Sequence, residues 1–78
     1  MHTVSVGRYT FSQAEALEIY DECKYIVTSQ GIFQPSYSMA QRQVYFFKIA
    51  PARLVKRGYK IMTADEINAA LGGTYIIA

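Results

Sequence analysis

The sequence contains few side chains that could carry out chemistry. His2 is the only histidine and Cys23 the only cysteine among the 78 residues, so one chain lacks the ligands for a zinc site and cannot form an internal disulfide. A nucleophilic triad would need His2 as its base, and no neighbouring residue would orient that imidazole. We therefore predict no catalytic residue, no metal site and no cofactor, and we expect that the protein is not an enzyme.

Carboxylates form the one cluster of reactive groups. Glu15, Glu18 and Glu22 are spaced so that they share one face of a helix, with Asp21 at its edge. Glycosidase-type chemistry needs two carboxylates facing each other across a pocket, whereas a row along a helix is typical of a solvated surface. We interpret this row as an acidic helix face, which either meets solvent or lies against a basic surface of this chain or of a partner.

The element that carries the acidic face is predicted to be one amphipathic helix over 12–30. Ser12 and Glu15 form a capping box that would start it, and Gly31 would stop it. Cys23 falls on the apolar side, so we expect a small buried residue rather than a nucleophile. The apolar side would consist of Ala16, Ile19, Tyr20, Cys23, Ile26 and Val27.

The segment before this helix has the alternation of a β-strand. Val4 and Val6 alternate with polar residues, and the alternation changes phase at Gly7, before Tyr9 and Phe11. The sequence therefore predicts either one bulged strand or a short hairpin that turns at Gly7.

The segment after it has two competing interpretations. Pro35 between polar residues predicts a loop, and the β-branched and aromatic residues of 43–49 favour a strand. Ser38 and Gln41 could instead form a capping box that begins a single helix over 38–49.

Two further alternatives concern residues 51–57. They form either a short helix that begins at Pro51 and ends at Gly58, or one side of a hairpin in which 53–55 pair with 59–62. Residues 59–62 are extended in both interpretations.

The C-terminal part predicts a shorter helix over 63–72, started by a capping box of Thr63 and Glu66, and then a short strand over 74–78. Residues 62–72 resemble the first helix and turn of helix-turn-helix domains. That motif requires a recognition helix next, and strand-like residues follow instead, so we expect an ordinary capped helix.

Together these elements predict one compact domain over residues 1–78 with a small α+β fold. We expect an antiparallel or mixed sheet of three to four strands, with the main helix 12–30 packed on it and the shorter C-terminal helix 63–72 beside it.

The charges are segregated along the chain. Residues 1–30 carry a net charge of −2, residues 31–62 carry six bases and no acid, and residues 63–78 carry −2. Aromatic residues lie among the bases. The alternatives for this block are a patch that is solvated or neutralised within the chain, a patch that binds an acidic protein surface, and a patch that binds nucleic acid. The predicted binding patch consists of Arg42, Tyr45, Lys48, Arg53, Lys56, Arg57, Tyr59 and Lys60.

These features predict a binding protein rather than an enzyme. Half of the residues are hydrophobic and seven are tyrosines, more than so small a domain can bury, so we expect contact with a larger protein or protein complex. A short, motif-free chain of this kind is typical of phage or mobile-element accessory proteins that inhibit a host complex by masking a surface. The alternatives are a nucleic-acid-binding or regulatory protein and a homodimeric structural module. With no signal peptide or membrane span apparent, we expect a cytoplasmic protein.

Overall fold

The computed structural model describes residues 2–51 and 53–72, so the strand predicted over 74–78 lies outside the described residues. A two-stranded hairpin β1-β2 and a four-stranded antiparallel sheet of order β5-β4-β3-β6 are combined with two helices. This confirms the predicted small α+β fold. The elements are β1 (Thr3–Val6), β2 (Tyr9–Ser12), α1 (Gln13–Asp21), β3 (Lys24–Thr28), β4 (Gly31–Ser38), β5 (Gln43–Ala50), β6 (Tyr59–Thr63) and α2 (Ala64–Ala70).

The helix predicted over 12–30 is wrong in its second half. The capping box of Ser12 and Glu15 does start α1, but the helix ends at Asp21 and the chain reverses at Cys23, whose φ of 56° is left-handed. Cys23 is exposed, so the prediction of a buried core residue is also wrong.

The residues after Cys23 fit a helical period but form the strand β3. Ile26 and Val27 are both completely buried, and they point to opposite faces of the sheet because side chains alternate along a strand. A continuous apolar run fits a strand covered on both faces as well as one side of a helix. The β-branched residues of β3 then favour the strand.

The N-terminal prediction of a hairpin is confirmed. Thr3–Val6 pairs with Tyr9–Ser12 in an antiparallel register, and Gly7 has a φ of 62° in the turn between them. The positive φ is one that glycine adopts without a steric penalty. The shift in alternation at Gly7 therefore marks the turn and not a bulge.

The loop predicted at Pro35 is wrong, because Pro35 lies within β4. Beyond Phe33, β4 pairs with β5 but no longer with β3. Pro35 therefore lies in a part of the strand with one open side, where a proline is tolerated.

The strand predicted over 43–49 is confirmed as β5, and the helix over 38–49 is wrong. The Gln41 N–H donates to Ser38 Oγ at 3.2 Å, as in a cap. Arg42 then adopts a φ of 53° and the chain turns back into β5.

Neither interpretation of residues 51–57 is correct where the structure describes them. Residues 53–58 form no helix and no strand. Val55 is buried against the sheet and Leu54 packs beside it, so apolar contacts hold this segment without regular hydrogen bonding. The extended segment predicted over 59–62 is confirmed as part of β6.

The C-terminal helix is confirmed, with Thr63 as its N-cap and the predicted capping box to Glu66. It ends at Leu71, and Gly72 has a φ of 91°.

Two apolar clusters lie on the two faces of the sheet. On one face, here called the α1 face, Ile19 of α1 and Val6 and Phe11 of the hairpin cover Ile26. On the other, the α2 face, Ile67 of α2 and Val55 cover three residues of the central strands, which are Tyr25, Val27 and Ile32. The sheet is thus covered on both sides, with β3 at its centre.

One side chain ties α1 to the edge of the sheet. Gln13 Nε2 donates to the Val44 carbonyl oxygen at 2.9 Å, and the Val44 N–H donates to Gln13 Oε1 at 2.9 Å. The amide therefore satisfies the backbone of the edge strand β5 as a neighbouring peptide group would.

We expect Gln13→Ala to lower the free energy of unfolding by about 2 kcal/mol, because two part-buried backbone groups lose their partner. Gln41→Ala removes one exposed amide contact and is the matched control, with an expected loss below about 0.5 kcal/mol. Urea denaturation of both variants measures the difference. Equal losses would contradict the role assigned to Gln13.

We expect Cys23→Gly to raise the free energy of unfolding by about 0.5 kcal/mol, because relief of the left-handed backbone exceeds the entropic cost of glycine. Cys23→Val should instead lower it by at least about 1 kcal/mol, since a β-branched residue tolerates this φ poorly. Thermal unfolding compares the two variants. In a continuous helix the glycine would be the more damaging change.

Candidate binding surfaces

Three turns of the chain converge around a cleft of about 250 Å³. The β1-β2 turn contributes Arg8, and the segment before β6 contributes Lys56 and Arg57. The β3-β4 turn contributes Ser29 and Gln30, and the remaining lining residues are Tyr9, Thr28 and Gly58. We call this the cationic cleft.

Aromatic packing holds two of the three turns together. The Tyr59 ring meets Tyr9 at 5.3 Å and Phe11 at 5.0 Å between ring centroids, both nearly edge-on, an arrangement that aromatic rings favour. Because Tyr59 directly follows Gly58, this contact fixes residues 56–58 beside the hairpin that carries Arg8.

The third turn is fitted closely to the hairpin. A Cβ atom at Gly7 would lie 3.1 Å from Gln30 Oε1, so the absence of a side chain at Gly7 allows the two turns to approach. The Gln30 N–H donates to Thr28 Oγ1 at 3.0 Å, and Thr28 is buried. The aromatic contacts and this close approach therefore place the three turns beside one another.

The electrostatics of the cationic cleft favour an anion. Arg8, Lys56 and Arg57 are all exposed, and none of them forms a salt bridge with another described residue. Every charged residue that lines the cleft is a base. Guanidinium groups bind carboxylate and phosphate oxygens through paired hydrogen bonds, so the cleft has the chemistry to hold either group.

The predicted binding patch does not form one surface. Lys56 and Arg57 lie at the cationic cleft, joined by Arg8, which sequence reasoning did not include. Arg42 lies in the β4-β5 turn, about 23 Å along β4 from the end where the cleft is. The remaining predicted residues are dispersed: Tyr45 on the α2 face of β5, Lys48 on the α1 face of β5, Arg53 in the segment before β6, Tyr59 on the α1 face of β6 and Lys60 on its α2 face.

A second concave surface of about 310 Å³ lies between α1 and β6, and we call it the acidic groove. Its apolar floor includes Phe11 and Ile19 with two exposed residues of β6, Tyr59 and Ile61. Its acidic residues come from the predicted acidic helix face, namely Glu15, Glu18 and Glu22, and Lys24 also lines it. Asp21, the fourth predicted member of that face, does not line the groove.

The acidic helix face and the basic block do not neutralise each other. Glu22 pairs with Lys24 at 3.1 Å, with both side chains substantially exposed, and such a pair contributes at most about 1 kcal/mol. Throughout 2–51 and 53–72 no base of the 31–62 block is paired with an acid. The molecule therefore presents a cationic and an acidic surface separately.

Hydrogen bonds within the two capping boxes hold their carboxylates ionised. The Ser12 backbone N–H and hydroxyl both donate to Glu15, each at 3.0 Å, and they lower the pKa of Glu15. The Thr63 N–H donates to Glu66 at 2.8 Å and lowers the pKa of that carboxyl in the same way. Glu15 is thus a fixed negative charge at one end of the acidic groove.

Comparison with known protein families, curated proteins and solved structures found no match. In the described part of the chain, no group of three or more His, Cys, Asp or Glu residues is placed to hold a metal ion. No described helix is long and apolar enough to cross a membrane.

We expect the melting temperature to fall as the pH drops through the folded-state pKa values of Glu15 and Glu66. Both values lie below those of the unfolded chain, so this stabilisation is present above the unfolded pKa and is lost on acidification. In Glu15→Gln with Glu66→Gln the capping boxes remain but the charge is gone, so the melting temperature should depend less on pH.

Thermal unfolding across the acid range measures this dependence. Glu18→Gln is the matched control, because Glu18 lies on the same helix outside the capping box. An equal change of slope in the control would contradict the assignment to the capping carboxylates.

Proposed function

We propose that this chain is a small non-enzymatic binding protein that docks on an acidic surface of a larger protein through the cationic cleft. The observation that carries the proposal is the convergence of Arg8, Lys56 and Arg57, from two separate turns, around one concavity with no acid in its lining. An acidic side chain of the partner would enter the cleft and accept hydrogen bonds from the guanidinium groups.

The rigidity of the cleft supports a role in recognition. Its turns are fixed by the Tyr59 contacts with Tyr9 and Phe11 and by the close approach of Gly7 to Gln30. Arginine and tyrosine are also frequent among the residues that dominate binding energy at protein interfaces.

Masking of the partner is the action that such a docking protein would have. Tyr59, which directly follows Gly58 of the cleft, is 44% exposed, and exposed tyrosines are frequent at surfaces that cover another protein. An accessory protein of a phage or mobile element could occlude a host complex by such docking alone, without catalysis.

Nucleic acid is the second candidate. Tyr9 lies beside the arginines and the lysine of the cleft, and its ring could stack on a nucleobase. The observed geometry favours it less. The Tyr9 ring is already in contact with Tyr59, and a backbone track that also used Lys48 and Lys60 would have to pass from one sheet face to the other. A single acidic side chain of a partner protein needs only the bases of the cleft and does not have to reach both faces of the sheet.

We expect charge reversal of the cleft, Arg8→Glu with Lys56→Glu and Arg57→Glu, to weaken binding to a polyglutamate peptide by about tenfold or more. Arg42→Glu with Arg53→Glu and Lys60→Glu is the matched control, since it changes the net charge equally at bases outside the cleft. Fluorescence anisotropy at low ionic strength measures both, with circular dichroism to verify folding.

Equal weakening in the two variants would contradict a localised site. Single-stranded DNA is titrated in parallel, because contact with several phosphates makes binding fall steeply with salt. Tighter binding of the DNA than of the peptide, lost on reversal of the cleft, would overturn the protein partner in favour of nucleic acid.

A further inference from the structure

The strand β6 forms an edge of the four-stranded sheet. It pairs with β3 along Tyr59–Thr63, and no other described strand lies on its outer side. The Thr63 N–H already donates to Glu66, so the outward backbone groups of residues 59–62 are those that can pair with a strand from another chain.

The acidic groove lies directly beside this edge. Tyr59 and Ile61 project from β6 on the α1 face, and they are 44% and 42% exposed. Glu15 and Glu18 of α1 line the same groove, together with the C-cap residue Glu22, which is paired with Lys24. An added strand would thus have backbone partners on β6, an apolar floor and carboxylates on one of its two faces.

The two faces of β6 differ in charge, and this specifies the pattern of the added strand. On the α1 face a long basic side chain could lay its aliphatic stem on Ile61 and reach the glutamates with its charged end. On the α2 face the neighbours would be Lys60 and Met62, which accept an apolar residue but repel a base. The complementary strand therefore alternates basic and apolar residues.

We propose that β6 and the acidic groove bind an extended segment of a partner protein in which basic and apolar residues alternate, by addition of that segment to the sheet as a fifth strand. This mode combines main-chain hydrogen bonds for affinity with alternate side chains for specificity. It uses a different surface from the cationic cleft and does not depend on the function proposed for the cleft.

A second copy of the chain fits the same edge less well. Antiparallel pairing of two β6 strands about a two-fold axis normal to the sheet would put both α1 helices on the same face. The glutamate rows of the two copies would then flank one junction, where like charges repel. Charge complementarity therefore selects a basic strand over self-association.

The test uses the full chain and a labelled peptide of sequence Thr-Lys-Val-Lys-Val-Lys-Thr. We expect saturable binding at low ionic strength by fluorescence anisotropy. The same peptide with every lysine and valine nitrogen methylated, which keeps the charges but lacks donors to β6 in any register, should bind much more weakly. No saturable binding, or equal binding of the methylated peptide, would overturn strand addition.

The acidic groove is tested with a matched pair of variants on one helix. Glu18→Lys should weaken binding of the peptide about fivefold, as one attraction becomes a repulsion. Asp21→Lys makes the same charge change outside the groove and should have little effect. Equal weakening in both variants, with both folded by circular dichroism, would show a general charge effect and overturn the assignment to the groove.

Discussion

The burial of β3 on both faces is the constraint on which the rest of the structure depends. Ile26 is covered from the α1 face and Val27 from the α2 face, and both are fully buried. Because the side chains on both faces of this central strand are apolar, leaving either face in water would expose them at a cost in stability. The hairpin and α1 must therefore lie on one face, and α2 with the segment around Val55 on the other.

The reversal at Cys23 makes this arrangement possible. Had the helix continued to Gly31, Ile26 and Val27 would both have faced one layer, and no central strand would exist. The chain instead leaves α1 through a single left-handed residue, Cys23, and only two residues separate the end of the helix from the start of β3. Cys23 lies at this reversal between α1 and β3, and it is exposed there.

The sequence predicts those elements whose signals are local, and fails where two periods compete. The capping boxes at Ser12 and Thr63 and the strand over 43–49 depend on neighbouring residues and are correct, and the hairpin at Gly7 is one of the two alternatives that the sequence offered. The run from Tyr25 to Thr28 matches both a helix face and a buried strand, and only contacts with distant residues decide between them. The loop predicted at Pro35 is wrong for a similar reason. A proline fits within β4 because the pairing of β4 with β3 ends at Phe33, and neighbouring residues do not reveal where that pairing ends.

The charged surfaces are predictable from the sequence in composition but not in place. Segregation of the acids from the bases is visible in the order of residues, and the absence of ion pairs between the two groups in the described structure agrees with it. Which bases meet is a property of the packing. Arg8 is thirty residues or more from any base of the block, and it joins Lys56 and Arg57 because the hairpin lies on the sheet beside β6.

The aromatic cluster of Tyr9, Phe11 and Tyr59 then acquires a role beyond packing. Tyr9 lines the cationic cleft, and Phe11 and Tyr59 line the acidic groove, so the cluster lies between the two charged surfaces. Opposite charges in direct contact would neutralise each other and leave neither surface able to attract a partner. The three uncharged rings separate the two surfaces, so a small chain with a net charge of only +2 presents one surface with net positive charge and one with net negative charge.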